Sequence, residues 1–219
     1  MMRVLCACEE SQEVTKRMRE LGIEAYSCDL LPCSGGHPEW HLRQDVREVL
    51  GHPWDMVLAF PPCTYLTVTG NRWFDVERYG DKARERHRLR DEAAAFFGLF
   101  TRLDHVPYVA IENPVGVMST RYRKPDQIVH PWWFGDPERK ATCLWLKGLP
   151  PLVATNPVEP RVIEYKNGKG TDSPWHMETM KLPPAERARA RSKTFPGVAD
   201  AMADQWGAWA LRQRENGGA

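Results

Sequence analysis

The stretch Asp55-Met56-Val57-Leu58-Ala59-Phe60-Pro61-Pro62-Cys63 decides the fold. An apolar run ends abruptly in two prolines and a cysteine. The run has no polar alternation, so it reads as a strand buried on both faces, the pattern of a parallel sheet. Proline cannot donate to a ladder, so the chain must turn there. Cys63 is then presented just past the carboxyl end of a strand. In open α/β sheets that edge is where ligands bind. Thiolate is a strong nucleophile near neutral pH, which makes Cys63 a candidate nucleophile. The competing reading is a small buried residue after a turn.

Working outward, Tyr108-Val109-Ala110-Ile111-Glu112-Asn113-Pro114 repeats the design. An apolar strand leads to a functional group and then a proline, and here the functional group is a carboxylate. Two neighbouring strand ends of this kind would bring Cys63 and Glu112 to one cleft. Pro-Pro-Cys followed downstream by Glu-Asn-Pro resembles the cytosine 5-methyltransferase family, in a compact form of phage or bacterial type. The resemblance implies a Rossmann-like α/β methyltransferase fold, a mostly parallel sheet with helices on both faces. It also implies S-adenosylmethionine (AdoMet) as cofactor, Cys63 as nucleophile and Glu112 as its partner.

Length and composition set the bounds. The chain has 219 residues, enough for one α/β domain with a substantial core but not for two full domains. A formal net charge of +1 does not announce a polyanion partner, although a local basic face remains open. The six cysteines, at positions 6, 8, 28, 33, 63 and 143, read as reduced thiols in a cytoplasmic protein rather than as a disulfide framework. Neither a signal peptide nor a membrane span is legible. The C-terminal tail from Arg214 onward is expected to fray.

The start of the chain reads as a nucleotide-type site. Arg3-Val4-Leu5-Cys6-Ala7-Cys8 is a short strand, and a helix follows with Val14, Met18 and Leu21 on one face. Ser11 is its expected N-cap and Gly22 its expected stop. Glu24-Ala25-Tyr26-Ser27-Cys28-Asp29 is the second strand, ending in an acid at the place where such sites hold ribose hydroxyls. The resemblance implies Asp29 as the ribose ligand and Asp45 as the contact to the adenine amino group. It adds Cys8, Glu9, Leu30, Val46, Phe60 and Pro62 as cofactor neighbours. The ordinary alternatives are a strand-ending acid at Asp29 and a helix cap at Asp45. The first loop, Cys6-Ala7-Cys8-Glu9-Glu10-Ser11, departs from the family by lacking glycine. Glu9 or Glu10 could face the positive sulfonium and amino groups of AdoMet. Cys28, Cys33, His37 and His41 fall at spacings zinc could use, but the gaps are irregular, and no metal is expected.

The remainder suggests nucleic acid. Residues 64–79, with Asn71, Arg72, Trp73 and Phe74, are polar and aromatic and are expected to be a mobile loop over the cleft, and the resemblance implies that it closes on nucleic acid. The charges early in the next helix, residues 82–100, read as a solvated face. Arg121, Arg123 and Lys124 interleave with Tyr122, and His130 follows with Trp132, Trp133 and Phe134. That mixture suits phosphates and unstacked bases. Arg139 opens a strand in the place of the family's arginine-bearing strand and is a candidate catalytic cation. The expected division is an AdoMet-binding catalytic core at 1–149, a reduced target-recognition segment at 150–182, and a C-terminal motif and helix returning to the core at 183–219. The partner is then DNA with a cytosine flipped from a duplex or taken from a single strand, as in restriction-modification systems. Also open are RNA or free cytosine nucleotides as substrate, a modified AdoMet group as donor, and an inactive nucleic-acid-binding accessory module.

Overall fold

The computed structural model describes residues 2–165, 168 and 170–217. Seven strands form one sheet: β1 (Arg3–Ala7), β2 (Glu24–Asp29), β3 (His41–Arg43), β4 (Met56–Ala59), β5 (Tyr108–Pro114), β6 (Gln127–Val129) and β7 (Thr142–Lys147). Their order is β3-β2-β1-β4-β5-β7-β6. The pairings β1–β2, β1–β4, β2–β3 and β4–β5 are parallel, while β7 runs antiparallel between β5 and β6. This is the mostly parallel, Rossmann-like sheet expected for the methyltransferase fold. Strand order reverses between β1 and β4, so a crevice opens beyond their carboxyl ends.

Residues buried on both faces explain the unbroken apolar strands. Val4 and Cys6 of β1, Met56 and Leu58 of β4, and Ala110 of β5 face one core cluster. Leu5 and Ala7, Val57 and Ala59, and Val109 and Ile111 face the other. The first cluster is closed by α1 (Glu13–Glu20) and by the C-terminal run of α7 (Pro196–Ala201), a π-helical turn (Met202–Gly207) and α8 (Ala208–Gly217). The second is closed chiefly by α3 (Asp81–Phe100), through Phe97 and Phe100. Each aliphatic side chain so buried stabilises the fold by about 1.5–3 kcal/mol.

Shorter elements sit at the periphery. They are α2 (Val76–Tyr79), α4 (Met118–Arg121), a hairpin of β8 (Ile163–Glu164) and β9 (Thr171–Asp172), α5 (Pro174–Met180) and α6 (Pro184–Ser192). No described helix is long and apolar enough to cross a membrane. Of the tail, Gly218 and Ala219 lie outside the described residues, and Arg214 is ion-paired with Asp55.

Three local expectations are corrected. Ser11 does not cap α1. Gln12 occupies the cap position in a left-handed conformation (φ 57°) and makes no side-chain cap bond there. Glu9 supplies the cap instead, accepting from Val14 N at 2.6 Å, Thr15 N at 3.2 Å and Thr15 Oγ1 at 2.6 Å. Gly22 does follow the helix in a left-handed conformation (φ 73°), as expected.

The second correction concerns residues 64–79, which are pinned rather than loose. Val117 N donates to Leu66 O at 2.8 Å and Val68 N to Val115 O at 3.3 Å. Gly116 allows this approach, because a Cβ there would lie 2.1 Å from Leu66 O. The third concerns α3, whose early charges are not all solvated. Arg90 is buried, donates to Tyr65 O and to Asn71 Oδ1 at 2.8 Å each, and lies over the Phe74 ring. The reason is geometric: the loop folds back across α3, so a cation on that face finds carbonyls instead of water.

Candidate active site

Parallel pairing of β4 with β5, Ala59 opposite Ile111, puts the two strand ends side by side. Glu112 is the next residue of β5, and Cys63 stands in the turn just beyond β4. The turn is tight, with Leu66 N and Thr67 N both donating to Cys63 O. Asn113 locks the two ends together. It is fully buried, and its Nδ2 donates to Pro61 O at 2.9 Å. A buried amide of this kind fixes loop position because losing the bond leaves polar atoms without water.

The electrostatics of the pair follow from burial. The Cys63 thiol is pushed up, first by burial and then by the negative charge of Glu112. The positive charges of Lys140 and Arg191 act in the opposite direction on Cys63. Burial also raises the Glu112 carboxyl, offset in part by Lys140 and by a hydrogen bond from the Thr142 side chain. Glu112 is thus biased toward a carboxylic acid that can donate a proton or a hydrogen bond. Cys143, also near Glu112, is pushed up to about 11 by burial and then by Glu112, with no cation among the described residues offsetting them as Lys140 and Arg191 do at Cys63.

Lys140 and Arg191 were not legible as site residues. In the β5–β7 register Thr142 stands opposite Pro114, so Lys140 projects beyond the strand end, on the Cys63 side of the sheet. Its Nζ donates to Arg191 O at 3.1 Å, capping the last turn of α6. Arg191 is held by Thr179 Oγ1 at 3.0 Å and His176 O at 3.5 Å of α5. Arg139 goes elsewhere: it is exposed and donates to Thr171 Oγ1 at 2.9 Å. The structure therefore brings Lys140 to the Cys63–Glu112 pair in the place expected for Arg139.

Of the expected cofactor residues, Cys8, Asp29 and Asp45 stand at or just past the carboxyl ends of β1, β2 and β3. The Cys8 thiol is raised by burial and then by Asp29, Cys28 and Asp45, which places these groups around one another at the ends of β1, β2 and β3. Asp29 Oδ1 accepts from Leu31 N at 2.9 Å. Asp45 is a cap, accepting from Arg47 N at 2.9 Å and pairing with Arg47 Nη1 at 2.8 Å. Leu30 is exposed, Val46 is buried in the core, Phe60 packs against the core and Pro62 is exposed.

Glu9 presents no free carboxylate to the crevice, since its oxygens are committed to α1. Burial lifts it to about 7 despite the bonds from Thr15 and Val14. Glu10 differs. It is 7% exposed, its Oε1 lies 3.4 Å from Arg189 Nε, and its buried Oε2 has no hydrogen-bond partner. A buried carboxylate oxygen without a partner, in the loop that follows β1, fits a cofactor that carries positive charge. The thiols and histidines with zinc-like spacing are engaged separately. Cys28 Sγ contacts Gln44 O, His41 bonds Ser27 and Leu31, and His37 stacks on Trp40.

The expected nucleic-acid residues divide into two groups. Arg72 and Trp73 are exposed together, the guanidinium 4.7 Å from the ring centroid. Asn71 is committed to Arg90. Arg121 pairs with Asp91 at 2.5 Å, and Arg123 pairs with Asp126 at 2.7 Å while reaching Leu146 O. Leu146 stands opposite Ala110, so Arg123 sits below the strand end that carries Glu112. Lys124 is exposed.

No protein-family model matches the chain, and no curated protein matches its sequence. Among solved structures, a crystal structure of a triple mutant of Spodoptera frugiperda DNMT2 is similar to it. The two are 16% identical with a TM-score of 0.43, over 76% of this chain and 60% of that one. The chain thus spans less than two thirds of the length of the structure it matches.

Proposed function

We propose that this chain is a cytosine 5-methyltransferase that modifies DNA through a covalent cysteine adduct. The observation that carries the reading is the clasped pair: Cys63 and Glu112 at adjacent strand ends, tied through Asn113 and Pro61, beside a crevice that ends in Asp29. Pro-Pro-Cys and Glu-Asn-Pro alone are short motifs, and it is their meeting at one sheet edge that supports the chemistry.

Carbon 5 of cytosine is a poor nucleophile. Attack of the Cys63 thiolate at carbon 6 breaks the ring's aromaticity and makes carbon 5 enamine-like. Glu112, biased toward its acid form, donates a hydrogen bond to ring nitrogen 3 and eases that attack. Lys140 and Arg191 favour the thiolate over the thiol. Asp29 and Glu10 would hold AdoMet through its ribose hydroxyls and its positive charge, and when bound that cofactor supplies the methyl group. Loss of the carbon 5 proton and expulsion of the Cys63 thiolate restore the ring.

The test is trapping with a cytosine bearing fluorine at carbon 5, offered in DNA and in RNA. Fluorine cannot leave as a proton does, so a thioether should persist on a denaturing gel. The adduct should need AdoMet and vanish in Cys63→Ser. An adduct that forms equally in Cys63→Ser moves the nucleophile elsewhere. AdoMet binding without an adduct on either nucleic acid argues for an accessory module.

A further inference from the structure

Away from the Cys63–Glu112 cleft, a groove of about 640 Å3 runs between the segment after Cys63 and the start of α3, lined by Trp73, Tyr79, Asp81, Lys82, Glu85 and Arg86. Its floor is aromatic. The Trp73 and Tyr79 rings meet at 5.2 Å with an interplanar angle of 48°, and Trp73 is 41% exposed. Leaving an indole in water costs burial that other tryptophans of this chain obtain. Trp206 is fully buried and donates to Pro150 O at 2.8 Å.

The groove is lined by two acids and two cations. Asp81 is ion-paired with Arg84 at 2.6 Å and Glu85 with Arg88 at 2.6 Å. Both acids are thereby paired with residues outside the lining. Lys82 and Arg86 remain as the cations of the groove. Arg86 lies over Tyr65 and Phe74, at 5.3 and 5.2 Å from the ring centroids, and its buried Nε has no hydrogen-bond partner. A guanidinium held by two rings is fixed in place as a cation beside the groove. An aromatic floor with two cations beside it matches a base and its phosphate.

We propose that this groove binds an unpaired nucleotide of the substrate strand, its base against Trp73 and Tyr79 and its phosphate between Lys82 and Arg86. The site deepens the reading of a nucleic-acid substrate and rests on it. It would hold another base of the strand whose cytosine enters the Cys63 cleft, since its floor belongs to the segment that follows Cys63.

The experiment measures binding of fluorescein-labelled single-stranded DNA and RNA oligonucleotides by the full chain without AdoMet, across a salt series, beside a strand that lacks bases. Trp73→Ala should weaken base-bearing strands roughly tenfold or more and the base-free strand little. Lys82→Ala should weaken all strands and make the slope of log K against log salt shallower by about 0.7. Both side chains are exposed, so the unfolding midpoints should match the parent's and report intact folding. Unchanged affinity and slope in both variants, with the parent still binding, would overturn the proposal while leaving methyl transfer intact. Failure of the parent to bind any strand overturns it as well. Loss of the fluorocytosine adduct with these binding effects preserved would sink the methyltransferase reading alone.

Discussion

Replacing Glu9 with Gln tests whether a buried carboxylate governs the first loop. Glu9 is 4% exposed and receives three hydrogen bonds at the start of α1, yet burial still lifts it from 4.5 to about 7. The sign follows from linkage. The folded value lies above the unfolded one, so the folded state holds the proton more tightly between the two. The stabilisation is complete below the unfolded value and is lost as pH rises through about 7. A shift of that size corresponds to about 3 kcal/mol. Gln keeps the shape but does not titrate, and its amide nitrogen faces the Thr15 N–H, which loses its acceptor. Urea unfolding of parent and Glu9→Gln at pH 5 and pH 8.5 isolates the effect, because other titrating groups cancel in the difference. Between these pH values the parent should lose up to about 3 kcal/mol relative to the variant. A parent-minus-variant difference that is flat with pH, or that grows in the parent's favour as pH rises, would refute the reasoning.

Arg90→Met removes two hydrogen bonds to the segment after Cys63 and should cost about 2–3 kcal/mol, with faster proteolytic cutting within residues 64–75 than in the parent. Gly116→Ala places a methyl group 2.1 Å from Leu66 O, so the Cys63 turn must shift; a lowered melting temperature and slowed adduct formation are expected. Glu112→Gln removes a negative charge that holds the Cys63 thiol up, so iodoacetamide should label Cys63 at lower pH than in the parent, whereas Lys140→Gln should move labelling to higher pH. Asp29→Ala should weaken AdoMet in calorimetry, since the ribose hydroxyls lose a charged acceptor.

The strand ends were legible because proline and polar punctuation mark where an apolar run stops. Pro61 and Pro114 do this, and they put Cys63 and Glu112 at one edge before any coordinates. The cap on α1 was not legible. It requires the chain to double back through Cys8 and Gln12, both left-handed without being glycine, so that an acid four residues before the helix reaches its amides. Propensity favours Ser11, and tertiary folding of the loop overrode it. Arg139 was favoured over Lys140 because the strand of the family that the chain resembles carries an arginine there. Arg90 looked solvated because a helix read alone does not reveal what folds across it. The exposed Trp73 was read from its polar surroundings, but its groove needed Tyr79 and the ion pairs of α3.

The placement of α6 has a kinetic consequence. On one side it meets the first loop and α1 through Arg189–Glu10 at 3.4 Å and Lys193–Glu13 at 2.9 Å, and on the other it meets Lys140 through the Arg191 carbonyl. It therefore bridges the two banks of the crevice like a bar across a doorway. Arg189 and Lys193 are each about half exposed against buried Glu10 and Glu13, so each pair is worth somewhat more than the ~0–1 kcal/mol of a fully exposed one. Lifting the bar costs far less than disturbing the sheet beneath it, and less again as salt rises. Turnover should accordingly quicken with moderate salt if departure of product past α6 is the slow event, and the burst of a first turnover should stay unchanged.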